Sequence, residues 1–352
     1  MFRMGYRWRK SPSGQYVDGH ERPDVVGYRQ TVFLPAWSKV EARMKAWSRD
    51  GTEEILIPEN EWPHDIDDGP RPFQHQYTIA HFQDESTFFA NDRCEVGWVH
   101  EDEKAVPRPK GEGVSLMISD FVSAELGFLA SPDRNDRCRV EFSAGVNNQG
   151  YFTNEHMKVQ TCHAINICNK YYPQYKHVFV FDNATTHMKR ADDALSARKM
   201  PKGINANFGV EVNVVDGAGK PVHKEDGKIL KRKINMGDGT FEGHSQPLYF
   251  PMDHEHPGLF KGMAIILEER GFTNAQKIRA ECIGFKCEEG ATNCCCRRIL
   301  YNQPDFVNVE PVLKTLCQEA GHEALFLPKF HCELNFIEQC WGYAKRVYRH
   351  YP

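Results

Sequence analysis

Ala324-Leu325-Phe326-Leu327-Pro328, followed by Leu334-Asn335-Phe336-Ile337-Glu338-Gln339-Cys340-Trp341-Gly342, decides how this chain folds. Four apolar residues in a row predict a short strand covered on both faces. Pro328 ends it, because proline has no N–H to donate to a ladder. Beyond it, Leu334, Ile337, Trp341, Ala344 and Tyr348 recur at the helical period and predict a helix with one apolar face for packing on a sheet. That helix brings one carboxylate, Glu338, close to the end of the strand.

Working outward, two more apolar stretches lead into acids. His177-Val178-Phe179-Val180-Phe181 has the composition of a central buried strand and ends at Asp182. Tyr77-Thr78-Ile79-Ala80-His81-Phe82-Gln83 predicts a strand ending at Asp84. Gly113 to Phe121 and Gly127-Phe128-Leu129 supply two more strands, and Thr153 to Asn169 has helical spacing. Hairpin strands first and helix-linked strands later predict an α/β fold with a mixed five-stranded sheet and flanking helices.

The stretch 77–188 is therefore the first part of a core and 319–352 its last strand and helix. Between them, 189–318 is an inserted subdomain. In it Val210, Val212 and Val214 alternate, and Asp216-Gly217 and Asp226-Gly227 fit hairpin turns. Gly258 to Arg270, closed by Gly271, and Val307 to Glu319, closed by Gly321, are expected as helices. Residues 1–76 form an N-terminal segment with a helix over Ser38 to Trp47. It ends in the linker Asp65-Ile66-Asp67-Asp68-Gly69-Pro70-Arg71-Pro72.

A chain of 352 residues can bury a large core as one or two domains. No apolar run approaches the length of a membrane span, and Met1 to Lys10 lacks the apolar stretch of a secretory signal. A net charge of −4 weighs against a complete DNA-binding machine. Two basic clusters stand out, Lys228/Lys231/Arg232/Lys233 and Lys345/Arg346/Arg349, each with a solvated helix or hairpin face as the plainer reading. With no secretory signal, the 12 cysteines point to reduced thiols or metal ligation rather than disulfides.

Taken singly, each acid is an ordinary cap or turn residue. Taken together, Asp84, Asp182 and Glu338 offer hard oxygen ligands of the kind that hold divalent cations at phosphoryl-transfer sites. A second cluster, Cys282-x4-Cys287-x6-Cys294-Cys295-Cys296, offers Cys282, Cys287, Cys294 and Cys296 for structural zinc, or simply thiols packed in a knob. His254 and His256 are further candidate ligands. Cys162, His163 and Cys168 fall on the predicted helix as core or surface residues.

Asp84-Glu85-Ser86, Asp182-Asn183-Ala184 with His187, and Leu327-Pro328 through Gly342 with Lys345-Arg346 resemble the three catalytic blocks of mariner-superfamily transposases. The whole chain, including Gly14 to Arg22 and Phe208 to Met236, is similar to the transposon-derived DDE endonuclease proteins of fungal genomes. The resemblance implies an RNase H-like fold in which Asp84, Asp182 and Glu338 bind two Mg²⁺ or Mn²⁺ ions, with Asn183 and His187 as accessory residues. It implies DNA as partner, both transposon ends and target, cleaved and then joined through a freed 3′-hydroxyl. It also implies a homodimer and a workplace in the nucleus.

The chain departs from the family's pattern in several places. Asp182 and Glu338 are 156 residues apart, far more than a mariner core needs. His331-Cys332 and Asn335-Phe336 replace a Ser-Pro and an Asn-Pro pair. Trp98 matches a family tryptophan only loosely, and the paired helix-turn-helix domains are not recognisable in Met1 to Gln76. These departures keep open a fragment, or a catalytically inactive or domesticated relic that binds nucleic acid. A zinc hydrolase ranks below both, since no HExxH pair is present.

Overall fold

The computed structural model describes residues 19–48, 54–55, 77–92, 111–143, 152–216 and 221–350. The chain forms two compact units, Met1–Met188 with Leu313–Pro352, and Lys189–Val312. The linker 65–72, Trp98, Gly217 and the start of the Gly14–Arg22 stretch lie outside the described residues.

The first unit is built on strands β1 (Thr78–Phe89), β2 (Ser115–Ser123), β3 (Gly127–Phe128), β4 (Val140–Phe142), β5 (Lys176–Phe181) and β6 (Glu323–Phe326). Its helices are α1 (Pro23–Tyr28), α2 (Leu34–Glu41), α3 (Asn154–Tyr171), α4 (Val312–Glu319) and α5 (Phe336–His350). The strands make one mixed sheet in the order β6-β5-β1-β2-β3, with β4 also paired to β2. Six strands are present rather than the expected five. The extra one, β4, is three residues long and has no apolar run to betray it. It runs antiparallel to Met117–Ser119, while β3 pairs the far end of β2.

The second correction concerns β1, which does not stop at Asp84 but continues to Phe89. Its first half, Thr78 to Phe82, pairs parallel with β5. Its second half, Phe82 to Phe89, pairs antiparallel with β2. The β2 ladder supplies hydrogen bonds beyond the point where β5 ends, so the polar stretch Asp84 to Thr87 stays extended. Asp84 thus lies near the place where the pairing changes partner, the position at which open α/β sheets form a crevice.

Alternate strand residues face opposite layers. On one face Phe121, Phe179, Phe181 and Phe326 pack with Met157, Ile165 and Cys168 of α3 and with Leu313 and Cys317 of α4. On the other, Ala80, Val178, Val180 and Leu327 receive Phe33 and Val40. Farther along the same face, Val122 receives Ile337 and Trp341 of α5, with Phe82, Phe88, Ile118 and Phe128 around them.

The helix expected over Ser38 to Trp47 lies earlier. α1 and α2 are joined by one π-helical turn, Arg29–Phe33, and α2 ends at Glu41. The chain leaves the helix there, and the Arg43 carbonyl accepts from the Thr78 N–H at 2.9 Å; Ala46–Trp47 is extended.

The second unit has its own core, including Met200, Leu248, Phe260, Met263, Ile266, Leu267 and Leu300. Val210–Asn213 pairs antiparallel with Lys231–Ile234, and Gly239–Phe241 with His244–Gln246. The Asp226-Gly227 turn is present, with the Lys224 N–H donating to the Lys228 carbonyl at 2.8 Å. The helix expected from Gly258 begins only at Met263. Gly262 before it has φ +88°, and a Cβ there would sit 2.5 Å from the Gly203 backbone, so the chain turns into the helix at the one residue that fits. The helix expected over Val307 to Glu319 is two, Pro304–Val307 and Val312–Glu319. Pro311 separates them, since proline cannot supply an interior helical N–H. Among the described residues no helix is long and apolar enough to cross a membrane.

Candidate active site

Register brings the first two acids together. β1 and β5 pair in parallel as far as Phe82 with Val180. Two residues farther along each chain stand Asp84, inside β1 on the face that carries Ala80 and Phe82, and Asp182, just past the end of β5. The third acid comes from above. Glu338 is exposed in the first turn of α5, while Ile337 beside it is buried, so the helix is held by its apolar face and the carboxylate is left at the rim. The first turn of a helix also carries a partial positive charge, which suits an acid.

Asp84 feels the charge of both other acids. Its side chain is 9% exposed, and its pKa is pushed up to about 8. Burial is the largest cause, followed by the charges of Glu338, Glu85 and Asp182. Asp84 therefore holds a proton at neutral pH because too much negative charge surrounds it in too little water.

Asp182 is treated differently. Burial alone would raise it, but the His187 ring, hydrogen-bonded to it at 2.5 Å, and the Ala184 N–H at 3.0 Å hold it below the usual carboxylate range. His187 is 1% exposed and reaches two acids, Asp182 through Nδ1 and Glu85 through Nε2 at 3.8 Å. Burial would lower its pKa, yet the hydrogen bond to Asp182 and the nearby Glu85 carboxylate raise it to about 9. His187 is thus a buried cation at neutral pH and keeps Asp182 ionised and fixed in direction.

Backbone ties complete the frame. Asn183 donates from Nδ2 to the Leu327 carbonyl at 3.4 Å, joining the ends of β5 and β6. Asn335, buried just before α5, donates to the Gln83 carbonyl at 3.1 Å, and its own carbonyl accepts from the Glu338 N–H at 3.0 Å.

Two acids that the sequence reading left without a role belong to the same neighbourhood. Glu85 is the second partner of His187. Asp120 is the direct register partner of Asp84 on β2 and is 1% exposed. Burial pushes it up to about 6, against the pull of Arg139, which donates to it at 2.8 Å. An acid inside the predicted strand Gly113–Phe121 was the available signal. Asp120 is engaged by Arg139 and the Phe121 N–H.

The cysteine cluster is corrected by one residue. Cys282, Cys287, Cys294 and Cys295 have sulfurs that all lie within 4.8 Å of one another. Cys296 turns away and donates to the Ala275 and Ile278 carbonyls. The start of the helix Cys296–Tyr301 decides this, since Cys296 is its first residue and faces the core while Cys295 caps it from outside. His254 and His256 instead surround Phe250. Cys162 is exposed, His163 binds Asp136 at 2.7 Å, and Cys168 packs by His81 in the core.

Much of the basic charge is locally engaged. Lys228 pairs with Asp226, Lys231 with Glu211, and Lys233 donates to the Asn207 carbonyl. In the second cluster Arg349 is held by Asp92, Lys345 lies over Phe88 and Arg346 over Tyr343.

No protein-family model matches the chain, and no curated protein matches it. Among solved structures, it is similar to chains of the Mos1 mariner paired-end complex with Mn, at 14% identity, TM-score 0.29, and coverage of 53% of this chain and 44% of that one. It is similar likewise to a pre-cleavage Mos1 transpososome, at 11% identity, TM-score 0.28, and coverage of 54% and 45%. The Mos1 strand transfer complex matches at 14% identity, TM-score 0.27, and coverage of 54% and 43%. The chain thus spans less than half the length of each of these, and the functional reading rests on the side chains described above.

Proposed function

We propose that Asp84, Asp182 and Glu338 form a divalent-metal site for DNA strand cleavage and strand transfer on an RNase H-like sheet. The observation that carries this reading is positional: β1 and β5 pair in parallel to Phe82 and Val180, Asp84 and Asp182 follow two residues later, and Glu338 stands in the first turn of α5; the raised pKa of Asp84, due to burial and the charges of Glu338, Glu85 and Asp182, agrees with it. The strand order β3-β2-β1-β5-β6, with β2 alone reversed among these five, supports the fold assignment.

The residues fit hard cations. All three donors are carboxylates, the ligand type that Mg²⁺ and Mn²⁺ prefer. Among the described residues, the groups whose ligand atoms all lie within 4.8 Å of one another do not include these three. Asp84, Asp182 and Glu338 would hold the divalent metal through their carboxylate oxygens. Bound as a pair, such ions would activate the attacking oxygen and stabilise the leaving one in an in-line displacement at phosphorus.

The chain's own residues then have separate tasks. Asp84 would give up its proton as the site is loaded, since burial and the charges of Glu338, Glu85 and Asp182 keep it protonated in the metal-free chain. His187 keeps Asp182 ionised and aimed, while Glu85 shares the imidazolium charge. Asn335 and the buried face of α5 hold Glu338 over the sheet, and the positioning of substrate and ligands provides most of the rate gain.

The substrates in this reading are transposon ends and target DNA, the functional form is a pair of chains, and the workplace is the nucleus. The test is nicking of supercoiled DNA by the purified chain with Mg²⁺ or Mn²⁺. Nicking that disappears in Asp182→Asn supports the reading, and nicking unchanged in that variant rejects it. Neither nicking nor millimolar metal binding would leave the non-catalytic nucleic-acid-binding relic.

A further inference from the structure

We propose that Cys282, Cys287, Cys294 and Cys295 hold one structural zinc ion that closes the second unit. Four cysteine sulfurs mutually within 4.8 Å form a set compact enough for a single ion, and all four thiols are free. A tetrahedral site with Zn–S bonds of about 2.3 Å separates its sulfurs by roughly 3.8 Å, so only a small contraction is needed. An all-sulfur set excludes the hard cations assigned to the carboxylate site and selects zinc among common structural ions.

Packed thiols alone give no reason for this convergence. A thiol is a weak donor and a small apolar group, and it gains most by dispersing into a core, as Cys296 does at 0% exposure. Cys282 and Cys295 are buried, whereas Cys287 and Cys294 are half-buried, so the cluster sits at the edge of the core. A cavity of about 510 Å³ is lined by Cys282, Cys287 and Cys295, giving an entry path.

The surroundings also suit a site with four thiolates, whose net charge with zinc is negative. The Cys295 sulfur accepts the Arg298 backbone N–H at 3.4 Å. The Arg298 guanidinium lies near Cys287. Such contacts to sulfur fix the ligands' direction and spread their charge.

The mechanical consequence follows from the chain path. Cys282 and Cys287 belong to the irregular stretch before the helix Cys296–Tyr301, and Cys294 and Cys295 lead directly into it. One ion would clamp that stretch to a helix whose Ile299 and Leu300 enter the core. Binding energy at such a site is folding energy.

The experiment is metal analysis of the full purified chain and its serine variants. One zinc per chain is expected, lost in Cys294→Ser and Cys295→Ser and retained in Cys296→Ser and in Asp84→Asn. Cobalt exchanged into the unmutated chain should give the strong visible absorption of a tetrathiolate site, which does not depend on any variant folding. Zinc well below one equivalent together with no cobalt absorption overturns the proposal. So does loss of the metal in Cys296→Ser with retention in Cys295→Ser. Because Asp84→Asn removes only the carboxylate site, failure here and failure of the nuclease reading are distinguishable.

Discussion

Asn335 donates a hydrogen bond from Nδ2 to the backbone carbonyl of Gln83 at 3.1 Å. Those two residues are distant in sequence, yet each lies beside a site acid, Gln83 directly before Asp84 and Asn335 three residues before Glu338. The bond therefore sets the height of the α5 carboxylate above the β1 carboxylate.

Asn335→Ala is expected to lower the nicking rate by one to two orders of magnitude while Asp84 and Asp182 stay in place. Leaving the Gln83 carbonyl without this partner costs about 1–3 kcal/mol of stability. Steady-state kinetics and urea unfolding of the same preparation check both. An unchanged rate with reduced stability would assign Asn335 to packing alone.

The proton on Asp84 makes metal binding pH-dependent. Since its pKa is raised from 3.8 to about 8, loading the site displaces a proton below that pH. Mg²⁺ affinity should rise with pH and level off above about 8, and calorimetry in buffers of different ionisation enthalpy should detect proton release at pH 7. Without metal, the folded chain binds more protons than the unfolded chain between the two pKa values. The Asp84 contribution therefore makes stability fall as pH rises through that window, and Asp84→Asn removes that part of the slope.

His187 contributes a slope of the same sign from a different cause. Its pKa is raised from 6.5 to about 9, so its stabilisation is fully present below 6.5 and is lost as pH climbs through 9. Asp182, held low by the same bond, loses its contribution on acidification instead. His187→Gln should lower activity by roughly 10–100-fold, as removal of a group that orients a metal ligand does. It should also flatten the stability profile between pH 6.5 and 9. NMR titration of the His187 ring gives the pKa directly, and a value near 6.5 would contradict the ion pair.

How much of this was legible in the sequence depended on whether neighbours were needed to decide. Val178 to Phe181 is apolar at every position and reads as a buried strand, so Asp182 could be placed from local composition. Asp84 could not be placed within its strand, because Glu85-Ser86-Thr87 is polar and only the β2 ladder keeps it extended. β4 is three residues long and exists because Met117–Ser119 offers an open edge. Cys295 and Cys296 are chemically identical, and only the first turn of their helix determines which faces the core. The proximity of His187 to Glu85 joins the loop after β5 to the middle of β1 and has no signature in either stretch. In each case the missing information was the partner, not the residue.

Localised oxidative cleavage tests most directly whether Asp84, Asp182 and Glu338 share bound metal. Fe²⁺ substituted for Mg²⁺, with ascorbate and peroxide, cuts the backbone beside its ligands. The account predicts cuts near residues 84, 182 and 338 together, suppressed by excess Mg²⁺ and absent in Asp84→Asn. Cuts at only one of these segments, or a pattern that Mg²⁺ does not suppress, would contradict it.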